Sequence, residues 1–524
     1  MPEITSASKL AVELAKRARF LEVVLAEVYD KNEGLGFVNI RHIFQKLLIE
    51  DLSKDRFVDL CAQTITYGLF AAKVMARDKE ITRNNAWEFI LGSPDWLRKA
   101  FYLMMGPDAP EAISWIVEDI VKVLNKTDIS AIYEEARTVY KQRDPVIQFY
   151  ETFLKEYNPE ERERLGVYYT PIPVVSYIVR SVHKILKKDL NLKDGFADNH
   201  VMLLDPAAGT ATFVIRAIEE ALSEYREGKL AGLAPFVISN HIIPHFYAFE
   251  LLIVPYVIGH LRMASYLVDR WNYRYREGER FRFYLTNSLE MKEPEQMPLL
   301  TELTEEGREA KKVKEEVPIL VILGNPPYSG ISENKGDWIT GLIEDYKIVD
   351  GKPLDEKNPK WLQDDYVKFI RFGQWKIDRT GEGILGFITN HSYLDNPTFR
   401  GMRQSLMKSF NEIYLLNLHG NVLKKEKCPD GSKDENVFDI RQGVAIGLFI
   451  KKQEQEEGRI ARVYYAELWG LREDKYRWLL KNDIETTDWE ELKPSRPFYF
   501  FVPRKETGWE DYEKFWKVTD IFPV

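Results

Sequence analysis

The stretch Val317-Pro-Ile-Leu-Val-Ile-Leu-Gly-Asn-Pro-Pro-Tyr328 decides how this chain is read. Its run from Ile319 to Leu323 is apolar, β-rich and unbroken, as suits a parallel strand covered on both faces. The prolines end it, because neither can donate to a sheet ladder and each disfavours helix in the residue before it. They leave a stiff loop at the carboxyl end of a strand, where open α/β sheets bind their ligands. The loop sets an amide, Asn325, beside an aromatic ring, Tyr328. That pair suits chemistry on an amino group attached to a planar ring. The Asn325 side-chain carbonyl and the Pro326 main-chain carbonyl can accept the two amino hydrogens and draw the nitrogen out of conjugation. Tyr328 can stack on the ring, as enzymes acting on flipped bases require. Taken alone, the tetrapeptide fits a strand, a proline turn and a packed tyrosine equally well. Context decides.

Upstream, Val201-Met-Leu-Leu-Asp-Pro-Ala-Ala-Gly-Thr-Ala-Thr-Phe213 gives a strand, a small-residue turn and a helix start. These are the parts of a nucleotide-type binding turn. Gly209 lets the backbone approach a ligand closely, and Ala207, Ala208 and Ala211 keep the turn slim. There is no Gly-x-x-x-x-Gly-Lys phosphate loop, and an acid at Asp205 suits a cationic ligand better than a triphosphate. A second β-like run ends at Phe246-Tyr-Ala-Phe-Glu250, where doubly wound folds hold a ribose diol; a carboxylate stabilising a helix N-terminus is the plainer reading of Glu250. The strand Phe281–Leu285 leads into Thr286-Asn287-Ser288. Before all of these, Tyr168-Tyr-Thr-Pro171 precedes a helix from Val174 to about Lys187. Thr170 is expected to be its N-cap and Pro171 its first helical residue.

The remaining chain is consistent with this centre. Its 524 residues allow two or three domains, and 45% hydrophobic content is ordinary for a globular protein. No apolar run reaches the roughly 18 residues of a membrane span, no signal peptide is visible, and a cytoplasmic setting is expected. Cys61 and Cys428 lie far apart without neighbouring Cys or His, so neither disulfides nor zinc are expected. A net charge of −9 argues against an all-round nucleic-acid surface but leaves room for a local basic cleft. Residues 1–143 carry helical stripes such as Leu10, Leu14, Ala18, Leu21 and Leu25, which read as core. Residues 291–316 read as a charged, partly helical, solvated excursion, and about 332–360 as another polar insert. Further strands are expected at Gly383–Asn390, Glu412–His419 and Val444–Ile450, with helices near Trp361–Asp378 and Thr398–Phe410. Strands alternating with helices predict an α/β fold with a mostly parallel sheet. Beyond about 470 the pattern turns irregular.

In this order, the Tyr168–Pro171, Asp205–Phe213 and Asn325–Tyr328 motifs resemble those of gamma-class DNA methyltransferases that act on amino groups. Ala211 departs from that pattern, where Gly is usual. The segments Asp144–Val182, Gly383–Leu394, Glu412–Asn421 and Asn436–Ile450 look like parts of type ISP restriction–modification enzymes. The resemblance implies a Rossmann-like domain using S-adenosylmethionine to methylate adenine N6 in duplex DNA after base flipping, with no metal. It further implies roles for individual residues. Tyr168, Thr170 and Pro171 would hold the methionine part; Asp205, Ala207, Gly209, Thr212 and Phe213 would line the cofactor loop. Glu250 would take the ribose and Asn287 the cofactor adenine. Asn325 and Pro326 would bind the target amine, and Tyr328 would stack on the target base. The expected division is a helical coupler-like domain (1–143), the methyltransferase domain (144–470) and the start of an incomplete target-recognition region (471–524). Helicase and nuclease parts, whose own motifs are not visible here, would be partners. A protein glutamine N5-methyltransferase and a non-catalytic coupling or DNA-tethering subunit are the rival readings.

Overall fold

The computed structural model describes residues 4–31, 40–42, 44–46, 52–77, 79–89, 99, 101–102, 104–105, 109–132, 145–157, 170–226, 232–276, 278–292, 301–328, 332, 334–356, 359–453, 458–504 and 514–515. The N-terminal stripes form helices α1 (Ala7–Asp30), α2 (Lys54–Ala76) and α3 (Glu111–Asn125). Leu10, Leu14, Ala18, Leu21 and Leu25 are wholly buried in the seam where α1 packs on α2 and α3. The next helix, α4 (Pro145–Tyr157), also lies on α1. Its last residue, Tyr157, places its hydroxyl between Asp59 Oδ1 (2.6 Å) and Glu22 Oε2 (2.9 Å). Helix α2 in turn touches the helix Ile253–Trp271, so the helical part rests directly on the sheet domain. Among the described residues no helix is long and apolar enough to cross a membrane.

Among the described residues nine strands make the main sheet: β1 (Leu203–Asp205), β2 (Phe246–Glu250), β3 (Arg282–Leu285), β4 (Val321–Gly324), β5 (Gly383–Asn390), β6 (Glu412–His419), β7 (Val444–Lys451), β8 (Arg462–Glu467) and β9 (Glu490–Leu492). Their spatial order is β9-β8-β6-β7-β5-β4-β1-β2-β3. β3, β2, β1, β4 and β5 run parallel. β7 enters antiparallel between β5 and β6, and β9 is antiparallel to β8. The α/β, mostly parallel sheet is therefore as expected. β4 and β1 lie inside it, each between two parallel neighbours, which is why both read as unbroken apolar runs.

Several local expectations change. The helix after Pro171, α5 (Ile172–Lys188), takes Pro171 rather than Thr170 as its cap residue; Pro171 stays extended (ψ 135°) and Pro173 occupies the first turn, where its missing N–H costs nothing. The insert before β4 is not a solvated excursion. Helix α8 (Thr301–Glu315) buries Leu303, Glu306, Ala310, Val313 and Lys314. Glu306 accepts from the Leu285 N–H (2.8 Å) and the Tyr256 hydroxyl (2.6 Å), so a charged helix face is satisfied inward. Nor are the described residues after 470 all irregular. A helix, Arg472–Lys481, packs on α5, and β9 extends the sheet. Arg180 donates to the Leu479 and Asn482 carbonyls, and Tyr177 meets Thr487 at 2.8 Å.

Candidate active site

Four of the expected residues stand at the carboxyl ends of four neighbouring strands. β1 ends on Asp205 and β2 on Glu250, while β3 leads into Asn287 and β4 into Asn325. Sheet order thus gathers positions far apart in the chain along one edge. β4 has to end on Gly324, since a Cβ there would stand 2.7 Å from Asp205 Oδ1. A bulkier residue would drive the Asp205 carboxyl out of its place.

Asp205 is fully buried. Its Oδ1 accepts from the Ala207 N–H at 3.2 Å, and its Oδ2 is buried without a hydrogen-bond partner. Burial pushes its carboxyl well above the usual carboxylate range; the Ala207 N–H opposes this and the nearby Glu250 charge adds to it. Behind it, Gly209 adopts a left-handed conformation (φ +54°) with open space where a side chain would stand. Ala211 is also left-handed (φ +62°) and caps α6 (Thr212–Ala221).

Glu250 is tied to that loop rather than free. Its Oε2 accepts from the Gly209 N–H and its Oε1 from the N–H groups of Leu251 and Leu252, each at 2.8 Å. The carboxylate therefore supports the start of α7 (Ile253–Trp271), in keeping with its plainer reading, and also braces the Gly209 turn. Burial raises its carboxyl and the three N–H donors pull it back. Oε2, with a single donor, retains acceptor capacity, whereas Oε1 already accepts two hydrogen bonds.

Thr212 and Phe213 lie in the first turn of α6, and Phe213 is packed in the hydrophobic core. Thr210 and Thr212 are held by Arg262 of α7, whose Nη1 donates to Thr210 Oγ1 (3.0 Å), Thr212 Oγ1 (3.2 Å) and the Thr210 carbonyl. Ser288 ties the β3 end to the loop through the Pro206 carbonyl. Asn287 accepts from the Leu289 N–H (3.0 Å) and donates to Asn334 Oδ1 (2.9 Å). Beneath it, the buried Lys314 ammonium donates to the Asn287 carbonyl (2.7 Å), the Glu290 carbonyl (2.9 Å) and Thr286 Oγ1 (3.2 Å). Burial lowers this lysine to about 7. No sequence motif points to Arg262, Ser288, Lys314 or Asn334. Arg262, Lys314 and Asn334 belong to helices or an insert, and Ser288 to the end of β3; their contacts with the loops are visible only once the sheet is assembled.

At the end of β4, Asn325 Nδ2 donates to Thr170 Oγ1 (3.0 Å), and the Tyr328 hydroxyl donates to Asn325 Oδ1 (2.8 Å). Pro326 and Tyr328 are buried and Asn325 is half-buried. Thr170, expected to hold the methionine part of the cofactor, and Asn325, expected to bind the target amine, are thus in direct contact. Pro171 is half-buried beside them in sequence, and Tyr168 lies outside the described residues. The carboxyl ends of β1 and β4 therefore carry a buried carboxyl oxygen without a hydrogen-bond partner, a bare glycine turn and an oriented amide.

Residues 141–235 match the family model described as N-6 DNA Methylase, and residues 262–422 match that of the Eco57I restriction-modification methylase. Thr170, Asp205 and Gly209 fall in the first segment and Asn287, Asn325 and Tyr328 in the second, whereas Glu250 lies between them. Comparison with curated proteins gives no match. Among solved structures, the chain is similar to a nuclease-deletion mutant of the type ISP restriction-modification enzyme LlaGI in complex with a DNA substrate mimic. The TM-score is 0.72 at 22% identity, over 95% of this chain and 39% of that one. The ATP-dependent type ISP enzyme LlaBIII bound to DNA gives 0.73 at 23%, over 96% and 33%. A DrdV–DNA complex gives 0.70 at 22%, over 95% and 46%. The chain spans less than half the length of each of these proteins. Residues 141–235 thus group with the N-6 DNA methylases and residues 262–422 with the Eco57I restriction-modification methylases, on a fold shared with the type ISP enzymes.

Proposed function

We propose that this chain is a DNA methyltransferase of a restriction–modification system, transferring a methyl group from S-adenosylmethionine to adenine N6 of a flipped base in duplex DNA. The observation that carries this reading is the Asn325 amide, oriented by Thr170 at the end of β4, one strand away from the Asp205–Gly209 loop. The residues present fit the cofactor. Asp205 offers an unpartnered buried oxygen to a cationic ligand, and Gly209 leaves room where a Cβ would intrude. When bound, the cofactor supplies an electrophilic methyl on a sulfonium. Asp205, Gly209, Glu250 and Asn287 would hold it, with Thr170 and Pro171 covering one end. Ala207 and Thr212 shape the turn, while Phe213 supports it from the core.

The protein's own work is positioning and local electrostatics. Asn325 Oδ1 and the Pro326 carbonyl accept the amine hydrogens, so that the nitrogen presents its lone pair. Tyr328 would stack on the flipped base after its hydroxyl leaves Asn325. Residues 1–143 are read as coupler-like, 144–470 as the methyltransferase domain and 471–524 as leading into target recognition. The helix Arg472–Lys481 and β9, packed on the catalytic sheet, would then link recognition to catalysis. Helicase and nuclease parts are proposed partners.

Transfer of tritiated methyl groups to duplex DNA, with N6-methyladenine identified after digestion, tests the reading. Labelling of a glutamine-containing peptide instead would favour the protein methyltransferase. Cofactor binding without transfer to either substrate would favour a coupling subunit.

A further inference from the structure

Further along the same carboxyl edge of the sheet, His391, His419 and Glu426 bring one ligand atom each to within 4.8 Å of one another. They are gathered by the sheet: His391 follows β5, His419 ends β6, and Glu426 sits in the loop between β6 and β7. A Cβ at Gly443 would stand 2.3 Å from the His391 ring, so that imidazole lies flat against bare backbone.

Hydrogen bonds fix which nitrogens are open. Asn417 Oδ1 accepts from the His419 N–H (3.1 Å), which orients its amide, and the same oxygen faces His391 Nδ1 at 3.1 Å. His391 Nδ1 must therefore carry the proton, leaving a lone pair on Nε2, to which Asn421 Nδ2 donates at 3.1 Å. Glu467 Oε2 faces His419 Nε2 at 3.2 Å, so in the neutral ring the proton sits there and the lone pair is on Nδ1. That Nδ1 is buried without a hydrogen-bond partner. It points at Glu426 Oε1 from 3.8 Å, too far for a hydrogen bond. The other Glu426 oxygen accepts from the Asn421 N–H (2.8 Å). Two imidazole lone pairs and a carboxylate oxygen thus converge, with each histidine oriented through its other nitrogen, as metal-ligating histidines are.

The frame around them is stiff. His419 stacks on Trp469. Asp434 receives the N–H groups of Gly420 (2.7 Å) and Gly470 (2.9 Å) and pairs with Lys475 at 2.7 Å, both side chains wholly buried. A cavity of about 350 Å³ opens on the three side chains and provides an entry path; Lys424 in its wall is paired with Asp395 at 3.3 Å.

We propose that His391, His419 and Glu426 bind a divalent transition-metal ion, with zinc the best match to two imidazoles and a carboxylate. The fourth position would belong to water or to a ligand in the cavity. Tetrahedral zinc spaces its donors by about 3.3 Å, so the side chains close inward and Asn421 Nδ2 releases His391 Nε2. The ion would pin the ends of β5 and β6 to the β6–β7 loop. This does not depend on the methyltransferase reading, which needs no metal.

The test is calorimetric titration of Zn²⁺ into the chelator-stripped full chain, with thermal unfolding in parallel. One equivalent should bind at micromolar affinity or tighter and raise the melting temperature. His419→Ala and Glu426→Gln should each weaken binding by at least ~10²-fold, and Glu467→Gln by ~10–100-fold through loss of orientation. The exposed His200→Ala should bind as the parent does. Glu426→Gln is nearly isosteric, so it keeps the test valid if the alanine variant fails to fold. Absence of stoichiometric binding, or binding that survives both His419→Ala and Glu426→Gln, would overturn the proposal.

Discussion

The Asn325 amide is held by the Thr170 hydroxyl, Nδ2 donating to Oγ1 at 3.0 Å across 155 residues of sequence. This contact fixes the rotation of the amide and leaves its carbonyl oxygen to accept from the Tyr328 hydroxyl at 2.8 Å. It couples the turn before α5 to the loop after β4.

Thr170→Val should therefore lower kcat by ~5–10-fold, the worth of one neutral hydrogen bond, with cofactor affinity little changed; Thr170→Ser should restore it. Asn325→Ala should abolish transfer while still binding S-adenosylmethionine. Asp205→Ala should do the reverse, weakening cofactor binding first. Calorimetry combined with single-turnover transfer separates the two effects. If Thr170→Val lost cofactor affinity and kept kcat, Thr170 would belong to the cofactor pocket alone.

The Tyr328 hydroxyl occupies the Asn325 oxygen that the target amine needs. Removing only the hydroxyl should leave the ring for stacking and free the acceptor, so Tyr328→Phe should be as active as the parent or more so. Tyr328→Ala loses the ring, at ~1–3 kcal/mol per stacked base, and should lose most activity. A phenylalanine variant as poor as the alanine one would mean that the hydroxyl acts directly, and stacking would have to be abandoned.

How far the sequence reaches depends on what each signal encodes. β5 and β6 are legible to the residue, because long apolar alternation with helices fixes a strand locally. The motif residues at the ends of β1 and β4 are legible for the same reason: proline and glycine punctuate them. Helix α8 reads as solvated because its charges, Glu306 and Lys314, are satisfied by the β3 end, a contact that no local pattern records. His391, His419 and Glu426 give no sequence signal, since residue spacing flags metal ligands only when they share a helix or a short loop. Here the pairing of β5 and β6 with β7 brings them together.

Ala211 stands where the resembling enzymes usually have Gly, and its φ of +62° gives that difference a physical meaning. The left-handed region costs an L-residue ~1–2 kcal/mol, partly offset by the greater unfolded-state freedom of glycine. Ala211→Gly should therefore be neutral or stabilising by up to ~1 kcal/mol, without loss of cofactor affinity. Gly209→Ala, at φ +54°, should incur the same strain and also place a methyl in the open space beside the turn. It should lower the melting temperature by a few degrees and weaken S-adenosylmethionine binding. Thermal unfolding and calorimetry on both variants decide this; a Gly209→Ala variant with undiminished affinity would remove Gly209 from the cofactor cradle.

Asp364 gives a pH test of the framework behind the pocket. It is buried, its Oδ1 has no hydrogen-bond partner, and it precedes Asp365, which accepts from Ser332 (2.6 Å) and Asn334 (2.9 Å); Asn334 is also bonded to Asn287. Burial, with the Asp365 charge beside it, pushes the Asp364 carboxyl up to about 8. The unfolded chain releases that proton near pH ~4. A folded-state value above the unfolded one means that the folded protein binds the extra proton between the two. Its contribution to stability is then fully present below pH ~4 and is lost as pH rises towards 8. The parent should lose on the order of a few kcal/mol from this group between pH ~5 and ~8. Asp364→Asn, which cannot ionise, should show a flatter profile and gain on the parent as pH rises. Urea unfolding of both proteins at several pH values in this range measures the difference. Parallel profiles would mean that Asp364 ionises normally in the folded protein, with water reaching its carboxyl.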